Sequence, residues 1–275
     1  IGESWDLNYG EGGVQDGPNV PFTVPAACAE ITFAWNSATH VLTIGAAGAP
    51  KGNLNRARAH WVTADTLAWD LPGLGADWTV TLHHDPAGAL ALGPDGVSGG
   101  TAIPLAWDPA GLPASVREKF PHLAALPAFR IPADRLAEAR EALKGQLAVS
   151  AHDGGGALVD ATSLQIPGVL DELYATGGPL GPTFAGGVPT LRVWAPTARS
   201  VSLELFGDSD PATAPAMHAM ALDPATGIWA VTGDASWRWK VYRYAVEVVV
   251  RSTGRGVTDP GSDPRSVSLS RTRAR

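Results

Sequence analysis

The sequence predicts a mainly β protein, a tandem of β-sandwich modules with short helices in the middle one. Three observations lead there. Short apolar runs alternate with period two, as in Ile31, Phe33 and Trp35, which is the side-chain repeat of a strand. The runs are closed by Gly, Pro, Asp, Asn or Ser, the residues that build turns. Glycine (32) and proline (23) are abundant among the 275 residues, as a chain of many short strands requires. Only "PASVREKFPHL" and "PADRLAEAREALKG", with a shorter stretch near Gly168, read as helices.

Taken in order, residues 1–47 contain "EITFAW" and "HVLTI" around the turn "NSAT", a hairpin. One hairpin is marginal alone in water, so this segment is expected to be part of a β module. Trp35 continues the Ile31–Phe33 face and is expected in its core. "AAGAPKGN" reads as a linker. Residues 53–166 form the second module, with strands in "ARAHWVTADTLAWDL", "DWTVTLHHD", "GALALG" and "QLAVSAHD". In its second helix Leu136, Ala139 and Leu143 share a face, and Asp134 is placed to cap the start. Residues 167–187 are expected to link this module to the next. Residues 188–270 carry "TLRVWAP", "SVSLELFGD", "HAMALD", "GIWAVTG" and "RYAVEVVV" at the regular spacing of a sandwich. Pro196 has a fixed φ and no N–H, so pairing is expected to end after Trp194. The polar end, "PGSDPRSVSLSRTRAR", reads as loose, with 271–275 a tail.

Charge narrows the function classes. The formal net charge is −7 with no basic stripe, which argues against nucleic acid and anionic membranes as partners. No apolar run is long enough to span a bilayer, and "IGESWDLNYG" has neither a basic n-region nor an apolar h-region. The single cysteine, Cys28, rules out an internal disulfide framework; near a strand start it reads as a small buried hydrophobe. Ten tryptophans stand against four tyrosines and six phenylalanines. Most are expected in cores, but any left exposed on a rigid sheet would be a flat platform for the apolar face of a sugar ring.

The third part resembles a family 48 carbohydrate-binding module through "LRVWAPTARSVSLELF", "GIWAVTG", "WRWKVYRYAVEV" and "VTDPGSDPRSVSLS". The second resembles the module that precedes it in pullulanases and limit dextrinases, through "ARAHWVTADTLAW", "REKFPHL", "FRIP", "QLAVSAHD" and "TSLQIPGVLDELYATGGPLGPTF". The first, "SWDLNYGEGGVQDGPNVPFTV" with "FAWNSATHVLTI", resembles the second half of the starch-binding sandwich at the front of bacterial pullulanases. The resemblance implies immunoglobulin-like sandwiches in the non-catalytic N-terminal region of a starch-debranching α-1,6-glucosidase. It implies α-glucan (pullulan, maltodextrin, starch) and a downstream glycoside hydrolase barrel as partners. It also implies secretion for a bacterial parent and the plastid for a plant-like one.

The residues themselves point to no catalytic centre, cofactor or metal. A glycosidase needs two carboxyl groups roughly 5–9 Å apart across one bond, and the acidic residues here sit mostly in turns or on a helix face. His83 and His84 are adjacent on a strand, so they point to opposite faces and cannot readily share an ion. His60, His122, His152 and His218 are dispersed, "GxSxG" is absent, and Gly154–Gly156 lacks the Gly-Lys-Ser/Thr that a phosphate loop requires. The candidate carbohydrate contacts are Trp5, Asn8 and Tyr9 in the first part and Trp237, Trp239 and Lys240 in the last. If extended, Trp237 and Trp239 would share a face, being two apart; packing on a neighbouring module is the competing role. Trp229 is expected in the core.

Overall fold

The computed structural model describes residues 8–22, 31–45, 51–210, 212–250 and 255–261. Cys28 and the segment 262–275 lie outside them. The chain is mainly β, as expected.

In the first part, β1 (Thr32–Asn36) and β2 (Val41–Gly45) form the expected antiparallel hairpin. Asn36 closes its turn by accepting the N–H groups of Ala38 and Thr39. Trp35 is not core: it is 38% exposed and Phe33 55%. No further described strand pairs with this hairpin; Phe33 meets the edge of Phe22, and Trp35 lies beside Tyr9 and His40.

The middle module contains β3 (Asn53–Trp61), β4 (Thr66–Ala68), β5 (Thr79–Asp85), β6 (Ala91–Gly93), β7 (Gly96–Ser98), β8 (Thr101–Asp108), β9 (Ala128–Arg130), β10 (Gln146–His152) and β11 (Leu158–Gln165). All except the small β6–β7 hairpin join one sheet in the order β10-β11-β3-β4-β9-β8-β5. Strand β5 pairs back with β10, so the sheet closes and these strands leave no open edge. Only β11–β3 is parallel. The closed sheet surrounds Trp61, Trp69, Leu82, Ile103, Phe129 and Leu147, all essentially without solvent contact. Trp61 and Trp69, on either side of the "VTAD" turn, enter this same core.

Helix α1 (Ala114–Lys119) covers a second apolar cluster of Val62, Ala68, Leu112 and Val116. Helix α2 (Leu136–Ala142) buries Ala139 and Ala142. Asp134 does not cap it. Pro132, at φ −55°, leads into a 3-10 turn over Ala133–Arg135, and α2 starts only after that turn, with no side-chain cap. Helix α3 (Pro167–Tyr174) inserts Val169 and Tyr174 into the main core. The expected linker at 167–187 is therefore mostly structured, because α3 has an apolar face to bury and β12 (Gly181–Ala185) pairs with the next strand.

The last module is a sandwich of two sheets. One has the order β12-β13-β17-β16, with β13 (Val188–Trp194), β16 (Ala221–Asp223) and β17 (Ile228–Thr232). The other is β15-β14-β18-β19, with β14 (Ser200–Phe206), β15 (Ala216–Ala219), β18 (Val241–Val250) and β19 (Arg255–Gly261). Strand β13 ends at Trp194, as Pro196 demands. The run "HAMALD" is not one strand. It crosses between the sheets at Met220, whose side chain is buried in the core and whose N–H donates to Val201 O. Leu191, Val201, Leu203, Trp229 and Tyr244 fill the space between the sheets. Pro260 and Gly261, expected in the loose end, belong to β19, an edge strand where proline's missing N–H is tolerated.

His83 and His84 diverge as their strand requires. His83 is buried, with Nε2 2.8 Å from Ser150 Oγ. His84 instead meets Glu138 at 3.0 Å. Hydrogen bonds from Arg135, and then from His84, hold the Glu138 carboxyl down at about 2. Burial, reinforced by the nearby His152 and His84, pushes His83 down to about 4. The folded protein thus keeps His83 neutral where the unfolded chain would protonate it. This stability is complete above pH 6.5 and drains away as pH falls toward 4, by about 3 kcal/mol in all. Urea unfolding measured from pH 7 to pH 4 is expected to show this loss, and His83→Leu to show a shallower pH dependence than the wild type.

Candidate functional site

The connection from β17 to β18 carries three of the sequence candidates. Asp234 caps a 3-10 helix at Ala235–Trp237 by accepting the backbone N–H and the hydroxyl of Ser236. The Ser236 side chain first, then its backbone N–H, lowers the Asp234 carboxyl below its usual range. The helical turn replaces the extended conformation on which a shared Trp237–Trp239 face depended. Trp237 turns inward against the module core, and its ring lies 4.4 Å from that of His218 at 48°. Gly233 makes this possible, since a Cβ there would stand 2.2 Å from the Trp237 ring.

Trp239 points the other way. It is 93% exposed, on a backbone with φ +65°, a left-handed conformation that is rare and strained for a bulky residue. The Arg238 guanidinium lies 5.9 Å from its ring centre. Lys240 does not extend a platform; its Nζ donates to Gly207 O at 3.2 Å and ties this turn to the loop after β14. The two ends of the turn are thus pinned, by Asp234 and by Lys240, with Trp239 displayed between them.

In the first part, Trp5 lies outside the described residues. Asn8 Nδ2 donates to Asp16 Oδ1 at 2.9 Å. Tyr9 stacks on His40, with centroids 4.1 Å apart and planes 7° from parallel, and Trp35 lies tilted 6.2 Å from Tyr9. The structure thus brings together Tyr9, Trp35 and His40, which the sequence places in separate elements. The sequence signals for this grouping are Trp35 and His40 on either side of the hairpin turn and the turn chemistry around Tyr9. "GEGG" and "DGPN" curl the chain back, and Gly10 and Glu11 donate to Val14 O and Pro18 O.

A closed β module followed by an antiparallel sandwich, with Trp239 displayed on a pinned turn, defines a modular β protein. Comparison with known families makes the assignment particular. The Pullulanase N2 domain family matches residues 56–172, and carbohydrate-binding module 48 (isoamylase N-terminal domain) matches residues 179–264. Over 215 residues the chain is 37% identical to "Pullulanase 1, chloroplastic" of Arabidopsis thaliana, covering 78% of this chain and 22% of that protein. It is 33% identical over 217 residues to a pullulanase of Klebsiella pneumoniae, covering 78% and 19%. The crystal structure of apo pullulanase from Klebsiella pneumoniae superposes with a TM-score of 0.66 at 31% identity, over 75% of this chain and 22% of that one. The same enzyme complexed with maltotriose superposes equally well, over 75% and 19%. The chain belongs to the pullulanase N-terminal region, a Pullulanase N2 domain followed by a family 48 module. It spans about one-fifth of the length of these relatives.

Inward Trp237 and outward Trp239 have opposite consequences for stability. Trp237→Ala is expected to cost about 3 kcal/mol through the cavity it leaves, and Trp239→Ala to stay within about 0.5 kcal/mol. Urea denaturation of the two variants checks both.

Proposed function

We propose that this chain is the non-catalytic N-terminal region of a pullulanase-like starch-debranching hydrolase, and that its family 48 module presents Trp239 to α-glucan. The observation that carries the reading is the combination at Trp239 of near-complete exposure and a left-handed backbone. A large apolar ring in water contributes nothing to the core, and the backbone strain beneath it has a cost. Both make sense where the ring has a partner. A glucose unit offers a C–H face to such a ring, and Arg238 beside it offers donors to hydroxyl oxygens. The family match to a carbohydrate-binding module supports the same partner, as does the maltotriose held by the Klebsiella relative. The Tyr9–His40–Trp35 cluster is a second, smaller surface of the same chemistry. Trp237 and Lys240 serve the site by holding the turn. The chain would act beside a glycoside hydrolase barrel of its parent protein, in the plastid for a plant-type parent and outside the cell for a bacterial one.

Calorimetric titration with maltoheptaose tests this. Saturable heat is expected from the wild type, and its loss in Trp239→Gly. That variant should keep its stability within about 1 kcal/mol, because glycine suits the left-handed turn. Heat that survives in Trp239→Gly but vanishes in Trp35→Ala would move the site to the first part. No heat from a folded wild type would reject glucan binding and leave Trp239 as a contact for another protein domain.

A further inference from the structure

The two matched families meet in the chain between residues 172 and 179, yet strong contacts cross that divide. Arg140, on α2 of the middle module, lies with its guanidinium 5.0 Å from the centre of the Tyr174 ring. Its Nε donates to the Tyr174 hydroxyl at 3.2 Å, and its Nη2 donates to the backbone oxygen of Pro224 at 3.0 Å. Pro224 lies in the turn between β16 and β17 of the last module. From that module, the Trp194 indole N–H donates to Tyr174 O at 3.1 Å, and Arg199 Nε reaches Lys144 O at 3.4 Å. Gly227 closes the joint: a Cβ there would stand 2.6 Å from Pro196 Cβ and 3.3 Å from the Tyr174 ring. Beside the clasp a cleft of about 690 Å³ runs between the modules, walled by Leu136 and Leu173 on one side and by Pro196 and Leu222 on the other.

We infer that Arg140, Tyr174 and Trp194 form a clasp that locks the Pullulanase N2 domain and the family 48 module into one rigid body. Modules joined by a short connection ordinarily move against each other unless their interface is extensive. Here directional bonds replace area. A charged donor on a backbone carbonyl is stronger than a neutral contact, and the Tyr174 ring and hydroxyl hold the Arg140 guanidinium in place for it from within the middle module. Tyr174 is 5% exposed, so its ring and carbonyl cannot shift without disturbing the middle core. The relative's structure agrees independently. Its superposition takes in 75% of this chain, whereas each matched family alone spans less than half, so both modules share one arrangement in a protein of 31% identity. The lock operates whether or not the chain binds glucan.

Hydrogen–deuterium exchange of the full chain in rising urea, read by mass spectrometry on peptides from β10 and β18, tests the lock. In the wild type the two strands are expected to open at one common midpoint. Arg140→Met keeps the aliphatic stem but removes the charge and both hydrogen bonds; it is expected to bring the β18 midpoint down by about 1 M urea relative to β10. Should Arg140→Met not fold, Trp194→Phe keeps an aromatic ring but removes the indole donor to Tyr174 O and is expected to separate the midpoints by less. Separate midpoints in the wild type, or a common midpoint in both variants, would overturn the inference.

Discussion

Tyr174 is the residue on which the arrangement of the two larger modules depends. Its side chain completes the core of the middle module, its carbonyl receives Trp194 from the last module, and its hydroxyl receives Arg140. A residue bonded in three directions, with little solvent around it, transmits position rather than absorbing it. The closed sheet of the middle module supplies the fixed frame, since a sheet without open edges has no strand free to slide. Helices α2 and α3 lie on that frame and carry Arg140 and Tyr174. The last module is therefore held by a surface that is itself held, and the turn bearing Trp239 inherits a defined direction.

The sequence was most informative where one physical rule acted alone. Period-two alternation and turn residues located the strands of the last module, and Pro196 marked the end of β13 because its missing N–H forbids pairing. Trp229, expected in the core, is 7% exposed. Reading failed where tertiary packing chose between local options. Asp134 had the chemistry of a cap, but Pro132 set a 3-10 turn ahead of the helix. Within residues 167–187 the short helix near Gly168 was foreseen, but not that it enters the core of the middle module. Trp35 alternated correctly with Phe33, but no described strand covers their face.

The candidate site divides in the same way. The sequence singled out Trp239 as a candidate; that it stands apart from Trp237 was not legible. Spacing by two implies a shared face only in an extended chain, and the Asp234–Ser236 cap converts this stretch into a helical turn. The clasp at Arg140 was illegible for another reason. Its partners, Tyr174 and Pro224, lie in other elements and one of them in another module, and Pro224 takes part through its backbone, which carries no residue signature.

The tryptophans thus serve two purposes that composition alone cannot separate. Trp61, Trp69 and Trp229 are pillars of their cores, while Trp239 carries its ring into solvent on strained backbone. In the proposed function, only the second kind meets glucan. The most direct measurement is a ¹⁵N–¹H spectrum of the tryptophan indole groups during titration with maltoheptaose. The account predicts that the Trp239 indole resonance shifts progressively with sugar while those of Trp61, Trp69 and Trp229 stay still. A Trp239 resonance that does not move at saturating sugar would contradict it.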